Sequence, residues 1–333
     1  MKRTGYKVVI EGNLSWTFYP ILGINADHMT LSAPNQSTPL LDLQDVTIAT
    51  ELLQLLRGNE KLQGHIRIAK MTLMNLHLQN AKIELYWQNN VLNLQPIVAS
   101  LYDGSLQGSA QGRELAVMPH WKWDIKLDGV QLQPLLEDMN GVDSKIKLSG
   151  VGQVKLQAET QGKSKDQLFN NLNGNCEFSL NHGVVQGIDL NYLVQSADAL
   201  LNKQSLSMPA NLNETKFDSL TGTALIKNGA AQTDNLVLVS SAFTMRGQGN
   251  MDLNSQNLDF RLLVTPINMT KLKWPVPVLV DGDMHNPSVR LDMLTVKTML
   301  AKEEIEKVKS KVEEQIKNLP EKADKMLQKL LGR

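Results

Sequence analysis

The chain has 333 residues and a formal net charge of zero, from 34 basic and 34 acidic side chains, which argues against a nucleic-acid binder with its basic excess. Hydrophobic residues make up 42%, enough for a sizeable core or an apolar lining, and the one cysteine, Cys176, excludes an internal disulfide framework. No run of about 18 apolar residues occurs, so no transmembrane helix is expected, and Met1–Gly5 carries two positive charges with no apolar segment behind them, unlike a signal peptide.

From residue 1 to about 294 the dominant signal is period-two alternation broken by Gly, Asn, Asp and Pro. Trp121, Trp123, Ile125 and Leu127 oppose Lys122, Asp124, Lys126 and Asp128. Residues 132–139 read as a helix of one or two turns. In residues 145–159, Ile146, Leu148, Gly150, Gly152, Val154, Leu156 and Ala158 share one parity, and Lys145, Lys147, Gln153, Lys155, Gln157 and Glu159 share the other. A helix would scatter these side chains around its circumference, whereas a strand puts each set on its own face. Residues 165–172 read as a short amphipathic helix with Ser164 as its N-cap. Cys176, Phe178 and Leu180 again alternate with polar neighbours, so Cys176 reads as a buried small hydrophobe. Residues 187–202 carry apolar side chains at helical spacing, from Ile188 to Leu201. Leu236 and Leu238 share one parity, and Leu258, Phe260, Leu262 and Val264 share another.

Turn signals punctuate these strands: Asp-Gly at 103–104, 128–129 and 281–282, Asn-Gly at 228–229 and Asn-Ser at 254–255. Glycines inside the alternating segments (Gly108, Gly112, Gly150, Gly152, Gly247 and Gly249) predict bulges and sharp sheet curvature. The chain therefore reads as mainly β, a long antiparallel meander with one apolar face. From about 295 the regime changes to a charged helical tail with a narrow stripe of Ile305, Val308, Val312, Ile316 and Leu319. Pro320 is expected to break or kink it, ahead of a second short helix with Met326, Leu327, Leu330 and Leu331 on one side. The stripe suits packing on the sheet, on a partner helix or on a membrane surface. The division is 1–140, 141–294 and a tail at 295–333.

No constellation of reactive residues stands out. His28, His65, His77, His120, His182 and His285 are scattered without metal-type spacing. Asp281, Asp283 and His285 lie close together, but as a hairpin turn followed by the Asn286-Pro287 turn. There is no nucleophile elbow and no phosphate-cradling loop, so neither a catalytic site, a metal nor a cofactor is expected. One apolar face must nevertheless be covered, by a second sheet, by helices or by a ligand. The candidates for a lining are Trp121, Trp123, Ile125, Leu127, Val154, Leu156, Ala158, Cys176, Phe178, Leu180, Leu236, Leu238, Leu258, Phe260, Leu262 and Val264, acting through non-directional apolar contact.

Several segments resemble the AsmA family: Thr4–Leu14 followed by Phe18–Ile24, the Leu101-Tyr102-Asp103-Gly104 turn, residues 148–162, Leu172-Asn173-Gly174 and residues 182–190. Leu220–Ala224, Val276–Gly282 and Asn286-Pro287 continue the match, which covers most of residues 4–292. The resemblance implies a long curved sheet forming an elongated groove of the repeating β-groove type, similar to chorein-type bridges. It implies a place on the periplasmic side of the inner membrane, phospholipid acyl chains as ligand and a role in outer-membrane biogenesis. The alternative reading of the same alternation is a closed β-sandwich scaffold whose tail helix binds other envelope proteins. The sequence departs from the family pattern in lacking the N-terminal anchor helix and in being short around residues 75–100.

Overall fold

A period-two pattern buries one set of side chains only on a pleated strand, and sixteen such strands follow one another along the chain. They are β1 (Lys7–Thr17), β2 (Ile21–Ser32), β3 (Leu41–Glu51), β4 (Leu62–Leu73), β5 (Leu76–Gln88), β6 (Val91–Leu101), β7 (Gly104–Arg113) and β8 (His120–Gln131). Then come β9 (Lys147–Gln161), β10 (Asn173–Gln186), β11 (Glu214–Lys227), β12 (Ala230–Val239), β13 (Phe243–Asp252), β14 (Asn257–Pro266), β15 (Val276–Asp283) and β16 (Ser288–Leu291). Four helices interrupt them among the described residues: α1 (Leu132–Asn140), α2 (Lys165–Asn170), α3 (Leu190–Asn202) and α4 (Met293–Leu330). These elements come from a computed structural model, which describes residues 7–18, 21–32, 38–51, 61–73, 75–141, 144–202, 213–267 and 274–330.

The strands form one antiparallel sheet in sequence order, each paired with its chain neighbours, and the sheet is open, with β1 and β16 at its two edges. Short turns explain this order, since a tight hairpin can join only adjacent antiparallel strands. Tyr102-Asp103 and Asn228-Gly229 both adopt two positive φ values, the geometry that matches strand twist in a two-residue hairpin. The sheet crosses the expected boundary near residue 140 directly, because β8 and β9 pair while α1 loops out between them. The molecule exposes 21652 Å², roughly half as much again as the ~14,000 Å² of a compact monomer of this mass.

Several expectations need correction. Asp128-Gly129 is no turn: it lies inside β8 as a bulge, where the pairing with β9 shifts between Leu127 and Val130. Gly282 likewise belongs to β15, and the reversal follows at Asp283–Asn286. Gly112 sits in regular register, with the Trp121 ring filling the space above it, whereas Gly108 flanks the bulge of β6 between Leu94 and Ile97, Gly247 and Gly249 flank that of β12 between Thr233 and Leu236, and Gly152 meets that of β8. Gly150 does face a register shift, opposite Asn181–Val184. The helix expected over 187–202 begins only at Leu190, with Asp189 accepting the Tyr192 N–H at 2.9 Å as its cap. Pro320 does not end α4; a proline inside a helix forfeits one backbone hydrogen bond, here the one Ile316 would accept, without stopping the run. The side chains of Ile316, Leu319, Met326, Leu327 and Leu330, and all of Leu331, lie outside the described residues. Ser164 caps α2 as expected, accepting the Gln167 N–H.

Candidate apolar groove

The register of the ladders shows what individual alternations cannot. Trp16, Ile24, Ile48, Ile66, Ile83, Ile97, Gly108, Ile125, Leu156, Cys176 and Ala224 are successive cross-strand partners, a single apolar row from β1 to β11. At ~4.8 Å per strand the row is ~48 Å long, longer than the hydrocarbon core of a bilayer, about 30 Å. Beside it runs Ala99, Leu106, Leu127, Val154, Phe178 and Gly222. On the last strands the face continues as Leu236, Gly247, Leu262, Val278 and Leu291, and as Leu238, Met245, Val264 and Val276.

All sixteen expected lining residues therefore share one face of the sheet. The other face is hydrated: Lys122, Asp124, Lys126, Lys155, Gln157 and Glu177 are exposed, and pairs such as Lys155–Glu177 at 3.2 Å bridge neighbouring strands. A depression of about 530 Å³ on that polar side, lined by Gln111, Lys122, Asp124, Gln157 and Glu159, belongs to this wet surface.

Along the apolar face the cover differs. Trp16 is 51% and Ile48 37% exposed, and Val8, Ile10 and Leu14 are exposed beside them. Trp121, Trp123, Ile125, Leu127, Val154, Leu156, Cys176, Phe178, Leu236, Leu258 and Phe260 are half-buried, and of these Leu127, Leu236 and Phe260 pack against the core. Trp121 and Trp123 stack at 5.3 Å. Burial pushes the Cys176 thiol above its ordinary pKa, consistent with an apolar setting. In contrast Leu180, Leu238, Leu262 and Val264 are sealed, and Ala158 is buried as well.

The seal is α3. It packs against β11 on one side and β14, β15 and β16 on the other, with Leu190, Val194 and Ala197 buried in the same cluster as Val264, Val276 and Val278. Thr215, wholly buried, accepts the Leu190 N–H and donates to the Ile188 carbonyl, leaving neither group unpaired at the helix entry. The sheet curls around this plug. The Lys145 N–H donates to the His285 carbonyl at 2.9 Å, joining the approach to β9 with the β15–β16 turn. Beneath that closure lies an apolar cavity of about 260 Å³ between α1 and the sheet, lined by Leu136, Leu148, Ile188, Leu258, Val280 and Met284.

Helix α1 is held on the face by a polar latch. Asp138 accepts from the Tyr102 hydroxyl and from His77 Nδ1 at 2.8 Å, and Tyr102 oxygen accepts the His77 backbone N–H at 3.1 Å. Burial and the bond to Asp138 push the Tyr102 pKa up to about 12. Burial opposes ionisation of Asp138, but the bonds from Tyr102 and His77 prevail and hold its pKa below the usual value.

The Asp281, Asp283 and His285 group resolves into separate local pairs. Arg290 takes both oxygens of Asp281, at 2.5 and 2.7 Å, and Asp283 accepts from the His285 backbone and approaches its ring at 3.1 Å. Among the described residues no three His, Cys, Asp or Glu converge as a metal site, and no helix is long and apolar enough to cross a membrane.

Sequence reasoning missed the N-terminal half of the lining, Trp16 to Ile97. The alternation was present there, but it changes parity within strands: in β5, Leu76 and Leu78 face the core on one parity and Ala81, Ile83 and Leu85 on the other. The switch falls at Asn80, and a positive φ marks the matching step of β3 at Asp45. A single Asn or Asp at a parity change is the signal that could have found it.

The model of one protein family matches residues 59–236, from just before β4 into β12 and more than half of the chain. Neither a curated protein nor a solved structure matches it. On the strength of that match and of the open sixteen-stranded sheet, this chain belongs to the AsmA family, which points to a role in cell-envelope and outer-membrane biogenesis.

Proposed function

We propose that the part of the apolar face along the Trp16–Ala224 row, beside the patch that α1 covers, is a lipid-binding groove, and that the protein carries phospholipid on the periplasmic side of the inner membrane in support of outer-membrane biogenesis. The observation that carries this reading is the unbroken row from Trp16 to Ala224, apolar or glycine at every step and, among the described residues, covered by no second sheet. Each buried methylene contributes roughly 0.8 kcal/mol, so two long acyl chains laid along the row bind firmly without a polar pocket. The headgroup stays in water beside the exposed rim. Such a role needs no catalytic group, and the protein acts as a carrier, not an enzyme.

A second role, a scaffold for other envelope proteins, is favoured by one observation alone: at the C-terminal end of the sheet the apolar face is packed by the protein's own helix, with Leu190, Val194 and Ala197 in the core. The two roles separate on detergent-free purification from bacterial envelopes followed by lipid extraction and mass spectrometry. The groove should carry stoichiometric phospholipid, and Phe178→Asp should lose it while keeping native circular dichroism. Absence of lipid from the wild-type protein would leave the scaffold.

A further inference from the structure

The cavity beneath α1 stands apart from the groove. Leu136 walls it from the helix, Leu148 from β9, and Ile188, Leu258, Val280 and Met284 from the other sides. Leu148 lies eight residues along β9 from Leu156 of the long apolar row, roughly 26 Å at ~3.3 Å per residue. Midway between them, Leu132 of α1 fills the space above Gly152. Hydrocarbon lying on the row therefore does not run on into the cavity, and the site does not depend on the groove reading.

Size and polarity say what the cavity holds. A dry apolar cavity of about 150 Å³ takes benzene, about 25 Å³ for each carbon. On that scale about 260 Å³ takes roughly ten carbons. An enclosed water needs several polar partners, and the polar side chains at the rim are engaged with one another. Gln133 Nε2 and Lys147 Nζ both donate to Glu137 Oε1, at 3.1 and 3.4 Å, and the Ser144 hydroxyl donates to the Ile146 carbonyl at 2.8 Å. Glu137 and Lys147 are partly exposed and mark the mouth. Their charges cancel, so nothing there selects a charged headgroup. Met284 offers a flexible, polarisable wall that adapts to what enters. The structure assigns this cavity to a single unbranched alkyl chain, roughly ten carbons of it inside, with an uncharged head left at the Glu137–Lys147 rim.

Titration of the full chain with straight-chain alcohols, read at the Met284 methyl by carbon-13 NMR, tests this; Met284→Leu identifies the signal. Affinity should tighten about fourfold per carbon from hexanol to decanol and level off from dodecanol on, because further carbons stay outside. Leu136→Ala widens the cavity and should move the plateau about two to three carbons longer. Ile188→Phe fills it and should abolish the response while keeping native circular dichroism. Phe178→Asp, which empties the groove, should leave the response unchanged. A Met284 signal indifferent to decanol overturns the inference. So does an affinity that keeps climbing past dodecanol, as it would on the open row, or a response lost in Phe178→Asp, which would place the alcohol in the groove.

Discussion

The Trp16–Cys176 row of the earlier strands and the face of the last strands carry the same kind of apolar side chain, yet the row is half open, beside a core patch under α1 that includes Leu78, Leu101 and Val130, and the last strands are closed. Trp16 and Ile48 at one end are half in water, whereas Val264, Val276 and Val278 at the other are wholly buried. The strands differ little in alternation or composition. What differs is the helical cover: α1 closes only a patch over β5, β8 and β9, whereas α3, thirteen residues inserted between β10 and β11, folds back into the curl of the last strands. The lesson is that a period-two apolar face specifies a surface needing cover and not the identity of the cover. The same strand chemistry makes a protein core where a helix is supplied and a hydrocarbon groove where none is.

The largest effect expected from this contrast is between two aromatic truncations. Phe243→Ala, in the sealed part, should cost about 3–5 kcal/mol in urea unfolding, because it leaves a cavity that α3 cannot collapse to fill. Trp16→Ala should cost less than about 1 kcal/mol, since its ring is already half exposed. Similar costs for the two would break the distinction.

The latch on α1, where the two regions meet, should show an intermediate effect. Tyr102→Phe removes a hydrogen bond to an ionised acceptor and should cost about 2 kcal/mol. The pH dependence carries a sign. The folded Tyr102 pKa, about 12, lies above its unfolded value of about 10, so its stabilisation is complete below pH ~10 and fades as pH rises through about 12. Asp138, held below its ordinary value, contributes above the unfolded carboxylate range and loses that contribution as pH falls through its folded pKa. Unfolding measured across pH should lose the alkaline slope in Tyr102→Phe and the acid one in Asp138→Asn.

Cys176 offers a gentler probe of the open region. Its thiol should react slowly with an apolar maleimide at neutral pH, because burial raises its pKa, and more slowly still when the groove holds lipid. Mass spectrometry of the labelled chain, with and without prior lipid extraction, measures the difference. The smallest effect is expected on the outer face, where Lys155→Ala breaks an exposed pair with Glu177 and should change stability by about 0.5 kcal/mol or less.

Much of this fold is legible in the sequence because strand faces and hairpin turns are local. Lys122 to Asp128 against Trp121 to Leu127 needs only the pleat, and Asn228-Gly229 only the backbone freedom of its two residues. The Ser164 cap of α2 is local in the same way. Register is not local. Ile24, Ile48, Ile66 and Ile83 belong to four separate alternations, and nothing in any one of them says that they line up. The bulge at Asp128-Gly129 has the sequence of a turn, and only pairing with β9 decides that the chain runs straight on. Cover is the least local property of all. Phe178 and Leu262 have the same pattern around them, yet Phe178 is half-buried and Leu262, on a strand that α3 packs against, is buried in the core.

The central claim is that hydrocarbon can reach the face before α3 and not beneath it. Photocrosslinking with a phospholipid bearing a diazirine on its acyl chain, followed by peptide mapping, tests this most directly. Adducts should concentrate on Trp121, Trp123, Ile125, Leu156 and Phe178 and be absent from Val264, Val276 and Val278. Labelling confined to the polar face, or equal on both sides of α3, would contradict it.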